Sequence, residues 1–179
     1  MSRLVLIKPN KEYQEKIVAM LDEWSEYNAT HVTDLSPRAI FHDYHNYDEY
    51  LAYFEQAEKN PKPGYVPSTT YFALDKERDV IVGAISIRHY LNEDLLQSGG
   101  HIGDGIRPSE RRKGYATEMI SLALDKCVEL GIDKVMMSCN DYNVGSRKSI
   151  INNGGIYEKT IISPDERIEV YWIDISNRK

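Results

Sequence analysis

The stretch that decides the fold is GGHIGDGIRPSERRKGYATEMISLALDKC, residues 99–127. His101–Ile106 reads as a short strand. Ala116, Met119, Ile120, Ala123, Leu124 and Cys127 then recur at i, i+3, i+4, i+7, i+8 and i+11, one apolar stripe of a regular helix that Gly131 stops. Between strand and helix stands Arg111-Arg112-Lys113-Gly114-Tyr115-Ala116. The first amides of a helix have no internal acceptor, and the helix dipole adds partial positive charge there. Gly114 lets a ligand approach the backbone, Ala116 keeps the turn open, and three basic side chains add formal charge. That combination describes a site for an anion the size of a pyrophosphate, built mainly from amides. Taken alone, the same residues also describe a solvated basic helix start. Other phosphate motifs fit worse: GxxxxGK[ST] is absent, and the glycines at 100, 103 and 105 lack the spacing and context of GxGxxG.

Downstream, Lys134–Cys139 reads as a short buried strand, and Asn143 caps a helix that ends at Gly154-Gly155. Ile156–Ile162 and Ile168–Ile175 close the chain as a hairpin around Ser163-Pro164-Asp165. Upstream, Thr69–Leu74 and Val80–Tyr90 form a hairpin, joined to His101 by a loop from Leu91 to Gly99. Arg3–Lys8 is a strand ended by Pro9, and residues 11–27 have helical spacing. A second helix starts at Ser36-Pro37, reads as broken near Asn46 and runs to Lys59. The order β-α-α-β-β-β-α-β-α-β-β implies an α+β domain spanning residues 1–179, a mixed sheet with helices on its faces.

The 179 residues carry 22 bases and 28 acids, a formal charge of −6, which argues against a general grip on nucleic acid. The apolar fraction of 41% is that of a globular chain. Val80–Ile87 is the longest near-apolar run, too short for a membrane span. The N-terminus turns polar after four apolar residues, without a secretory cleavage site. Cys127 and Cys139 form no CxxC pair. A cytoplasmic protein with no membrane partner follows. The charge is uneven: residues 12–60 hold 11 acids and 3 bases, net −8, whereas Arg107–Lys113 packs four bases against one acid.

Arg-x-x-Gly-x-Ala after a strand and opening a long helix resembles the acyl-CoA motif of the GNAT superfamily of N-acetyltransferases. The order of elements along essentially the whole chain is similar as well. The resemblance implies a mostly antiparallel seven-stranded sheet with helices on both faces, splayed between the fourth and fifth strands. It implies that acetyl-CoA is the cosubstrate, its pyrophosphate held by Arg111, Arg112, Lys113, Gly114, Tyr115 and Ala116. Gly105 and Ile106 would pair with the pantetheine arm and polarise the thioester carbonyl, and Gly105 could accept the bulge that this strand often carries in the family. Asn143 and Ser146 match an Asn-x-x-Ser pattern that contacts the cofactor. The chain departs from the family at Ile150, where a tyrosine acting as general acid is expected.

Amide formation from a thioester requires a neutral amine, so a base or proton path helps at neutral pH. Asp104 and His101 are the candidates on the strand. Three positions apart, they face opposite sides of the sheet, so at most one points at the acceptor, and Asp104 is preferred. Tyr142 and Tyr157 are candidate replacements for the missing acid. Cys139 reads as packing, and His42-x-x-His45 with Asp48 lacks a third close ligand, so no metal is expected. The acceptor is a small-molecule or peptide amine. The −8 of residues 12–60 suggests a cationic one, and reads equally as a solvated acidic face. The closing hairpin offers an edge for a homodimer, although Tyr171, Trp172 and Ile173 are equally readable as core. A non-catalytic acyl-CoA-binding module on the same fold is the alternative function.

Overall fold

The computed structural model describes residues 1–32 and 35–179. Seven strands form in chain order: β1 Leu4–Ile7, β2 Ser68–Asp75, β3 Val80–Arg88, β4 Ile102–Ile106, β5 Lys134–Asn140, β6 Ile156–Ile162 and β7 Arg167–Asp174. The helices are α1 Gln14–Thr30, α2 Tyr47–Lys59, α3 Glu93–Gln97, α4 Tyr115–Glu129 and α5 Val144–Asn152. The strands make two antiparallel sheets, β1-β2-β3-β4 and β5-β7-β6. The expected splay therefore falls between β4 and β5. Alternation in the strands sends side chains to two faces. On the rear face, Ile85, Ile87, Ile102 and Ile106 meet Met119, Ile120, Ala123 and Leu124 of α4. On the front face, Phe72, Leu74 and Ala84 meet Ile17, Met20, Leu21 and Trp24 of α1 and Tyr50 and Phe54 of α2.

Two local expectations change. No helix starts at Ser36-Pro37: Pro37 is extended, only a 3₁₀ turn forms over Arg38–Phe41, and α2 begins at Tyr47. Asp43 adopts φ +31, which no helix can continue through, and Ile40 is held by the Tyr50 hydroxyl donating to its carbonyl. The loop before β4 contains α3, capped by Asn92 accepting from the Leu95 amide. In the closing hairpin Tyr171 and Ile173 are core, while β6 is an exposed edge strand.

Candidate active site

β4 and β5 touch at one end and part at the other. At the closed end the His101 amide donates to the Met136 carbonyl, and the His101 Nδ1 accepts from the Met136 amide, at 2.8 and 2.9 Å. One residue thus supplies both halves of a strand pair. Burial first, and the nearby Arg88 cation second, push the His101 pKa down to about 4. The imidazole is neutral and its acceptor nitrogen occupied, so the expectation that His101 acts as a base gives way to a structural role.

The register of β3 and β4 shows which backbone groups face the opening. The Arg88 amide donates to His101, and the Arg107 amide to Val82. Antiparallel alternation then turns the backbone groups of Gly103 and Gly105 toward β3, and those of Ile102, Asp104 and Ile106 toward the gap. Gly105 is therefore spent on the ladder, paired with Ala84, and Asp104 and the Ile106 amide present the free edge. Nor does Gly105 host a bulge, because the β3–β4 register runs without a shift. It is glycine for another reason: a Cβ there would lie 2.0 Å from the Ser36 carbonyl and 2.6 Å from the Trp24 ring.

Asp104 shares the rear face with Ile102 and Ile106. Its carboxylate has no partner among the described residues, and burial raises its pKa to about 6.

Beyond the open end of β4 the chain reaches the start of α4. Arg112 and Gly114 take φ of +62° and +83°, and the amides of residues 112–117 have no acceptor among the described residues. Alternating left-handed residues at a helix start make a concave row of donors suited to an anion. The basic side chains around this row are mostly engaged elsewhere. Arg107 pairs with Glu23, which also accepts from the Ser109 amide. Arg111 donates to the Ile106 carbonyl and lies against the rings of Trp24 and Tyr27, at 5.9 and 5.1 Å. Lys113 binds Glu110, which also takes both guanidinium nitrogens of Arg78 at 2.8 Å. Glu110 is only 5% exposed, and Arg78 foremost, then Lys113, holds its pKa down near 2. The Tyr115 hydroxyl donates to Asp75 and accepts from Arg78, which pins the helix start to the β2–β3 turn.

On the β5 side, Asn143 caps α5 by accepting from the Ser146 amide at 3.1 Å, so Asn-x-x-Ser has a structural role of its own. Tyr142 is 70% exposed after the end of β5, its hydroxyl accepting from Asn140. It faces a cleft that Ile162, Ser163 and Asp165 of the β6–β7 turn complete. Tyr157 lies on β6, separated from β5 by β7, and is no neighbour of the gap. Ile150 is fully buried in the rear core, so no proton donor stands at that position. Cys127 and Cys139 are buried and not disulfide-bonded. His42 stacks on Tyr53, whereas His45 tilts against Tyr44. Glu58, Asp48 and Glu23 pair with Lys8, Lys11 and Arg107 from outside residues 12–60, so part of that acid surplus is answered within the chain; Asp34 lies outside the described residues.

Sequence reasoning passed over Trp24, Ser36 and Arg88, which cover the front of β4. The signal was there: two glycines on one strand face, Gly103 and Gly105, mark a close approach of other groups.

No helix among the described residues is long and apolar enough to cross a membrane. No curated protein sequence matches the chain. Among solved structures, the ribosomal-protein-S5-alanine acetyltransferase from Vibrio fischeri is 16% identical with a TM-score of 0.70, over 98% of this chain and 94% of that one. RimL, a ribosomal L7/L12 α-N-protein acetyltransferase solved with coenzyme A, is 10% identical with a TM-score of 0.71, over 98% and 96%. The microcin C7 self-immunity acetyltransferase MccE, solved with acetyl-CoA and AMP, is 16% identical with a TM-score of 0.66, over 97% and 93%. At these identities the likeness concerns the fold. Residues 3–155 match the acetyltransferase (GNAT) domain family, and the chain belongs to it.

Proposed function

We propose that the protein moves an acetyl group from acetyl-CoA to a primary amine, by direct attack of the amine in a ternary complex. The observation that carries this is the free edge of β4, Asp104 and Ile106, leading to the unpartnered amides of residues 112–117. That amide row, with exposed Arg112, would hold the pyrophosphate; Asn143 and Ser146, at the start of α5 after β5, would contact the cofactor from the other side. Acetyl-CoA supplies the activated acyl group. The Asp104 or Ile106 amide would polarise its carbonyl, and Asp104 would take the amine's proton, since a carboxylate with a pKa near 6 is ionised yet basic at neutral pH. Tyr142 is the remaining candidate to protonate the thiolate. Its siting beyond β5 supports this; departure of an unprotonated thiolate also remains open to the reaction, because a thiol pKa is near 8.5. The acceptor is cationic at its amine before reaction. Two cysteines, neither in a disulfide, support a cytoplasmic setting, and the β6 edge is where a homodimer would form.

The test is a thermal shift with acetyl-CoA followed by thiol release against a panel of amines. Asp104→Asn should lower kcat/KM about 10²-fold, and the parent's kcat/KM should fall as pH drops through about 6. An unchanged rate in Asp104→Asn removes that residue from the mechanism. Ile150, buried where the family's acid is expected, favours a second reading, a non-catalytic acyl-CoA-binding module. A thermal shift without thiol release for any amine would establish it.

A further inference from the structure

Ten arginines occur in the chain. Six lie within ion-pair distance of a carboxylate: Arg3, Arg78, Arg107, Arg147, Arg167 and Arg178. Arg111 lies against aromatic rings, and Arg38 and Arg112 are exposed to water. Arg88 differs from all of them. It is half-buried at the end of β3, and among the described residues its side chain's only hydrogen bonds run from Nη1 to the carbonyls of Gly99 and Gly100, at 3.2 and 3.0 Å. Burial lowers its pKa, with no acid nearby to oppose the effect. A guanidinium withdrawn from water without an anion is a costly arrangement, and its planar fork is shaped for a carboxylate.

Its surroundings point the same way. On the front face of β4, Gly103 has no side chain, and the place its Cβ would occupy lies 3.1 Å from the Ser36 hydroxyl and 4.0 Å from Arg88 Nη2. Two donors without other partners among the described residues thus stand on the same side of the bare Gly103 backbone, Arg88 Nη2 supplying charge and Ser36 Oγ a hydroxyl. Gly103 adjoins Asp104, with Cα atoms about 3.8 Å apart, so this position lies within the length of a small molecule from the free strand edge.

We propose that Arg88 and Ser36 seat a carboxylate of the acceptor, which is therefore an amino-carboxylate: an ω-amino acid or a short peptide acetylated at its amine. The inference rests on the acetyl-transfer reading and narrows its substrate class. The acceptor is then a zwitterion whose carboxylate meets the front face of β4 and whose amine reaches past the free strand edge toward Asp104 on the rear face.

The experiment measures thiol release from acetyl-CoA with ω-amino acids of three to six carbons and with glycylglycine, each beside its own carboxamide. The parent should favour the carboxylates at least tenfold in kcat/KM. Arg88→Gln should erase the preference through KM, with the carboxamides unaffected, and Arg88→Lys should restore part of it. Gly103→Ala, which fills the position while leaving the bonds of Arg88 to Gly99 and Gly100 intact, should reduce the preference too. It guards against a folding defect in Arg88→Gln, and melting temperatures of all variants are recorded. Equal use of carboxylate and carboxamide by the parent overturns the inference and leaves acetyl transfer standing, as does a preference that survives both Arg88→Gln and Gly103→Ala. No thiol release from any amine, with the acetyl-CoA thermal shift intact, refutes acetyl transfer and this inference with it.

Discussion

The two ends of β4 solve opposite problems with opposite materials. At the open end, beyond Ile106, charges abound but are matched: Arg107 with Glu23, Lys113 and Arg78 with Glu110. What remains for a ligand there is exposed Arg112 and the backbone donors of residues 112–117. At the closed end, His101 and Met136 make the junction between sheets, and the cation beside it, Arg88, is unmatched. Charges conspicuous in the sequence are thus largely scaffolding, whereas the available groups are amides that a sequence does not display and one arginine isolated within an apolar strand. Of the four bases in Arg107–Lys113, two, Arg107 and Lys113, are answered by acids of this chain.

The sharpest way to break this comparison is to crowd each end in turn. Gly105→Ala puts a methyl 2.0 Å from the Ser36 carbonyl and against Trp24, a collision with backbone that cannot be relieved by a rotamer change. It should cost about 3 kcal/mol or more in denaturant unfolding. Gly114→Ala at the open end meets only Arg3 Nη2 at 3.6 Å, so its cost is confined to backbone strain at φ +83°, about 1 kcal/mol. Equal losses for the two variants would refute the claim that the front of β4 is closely covered and the motif loop open.

The closed end has its own signature in pH. The folded His101 pKa, near 4, lies below the ordinary value of 6.5, so protonation favours the unfolded chain. The stabilisation is complete above pH 6.5 and lost as pH falls toward 4, about 3 kcal/mol in all. Asp104, raised to about 6, acts in the reverse sense, losing stabilisation as pH rises from its ordinary range through 6. The informative quantity is therefore the difference between the parent and His101→Leu across pH 4–7, in which Asp104 cancels. The parent's advantage over the variant should shrink on acidification. An advantage that stays constant would mean that His101 does not hold the junction in its neutral form.

The strands and α4 were legible because they depend on local period: the apolar stripe from Ala116 to Cys127 has one structural solution, whereas the splay was expected only from the family resemblance. The segment from Ser36 to Asn46 was not, because its course is set by tertiary partners such as Tyr50 and by the left-handed turn at Asp43. At the site, the amide row followed from Gly114 and the helix start. The facing of Asp104 and the idle backbone of Gly105 did not, since they depend on the β3–β4 register. Arg88 was passed over because nothing local distinguishes an arginine that will lack an acid from one that will find it.

The smallest effect tests the open end itself. Glu110→Gln leaves Arg78 and Lys113 without their shared carboxylate. Because those two side chains are 46% and 47% exposed, water replaces much of the lost attraction, and the stability cost at pH 7 should be about 1–2 kcal/mol. In the parent the same contribution is present above about pH 4.5 and disappears as pH falls toward 2, the folded pKa of Glu110; the variant lacks that slope. Acetyl-CoA affinity should respond differently from stability. If amides carry the pyrophosphate, the variant binds as tightly as the parent or more so, since two cations are released beside an unchanged donor row. A tenfold loss of affinity with the fold intact would show instead that the Glu110 brace shapes the site, and that its charges belong to the binding machinery after all.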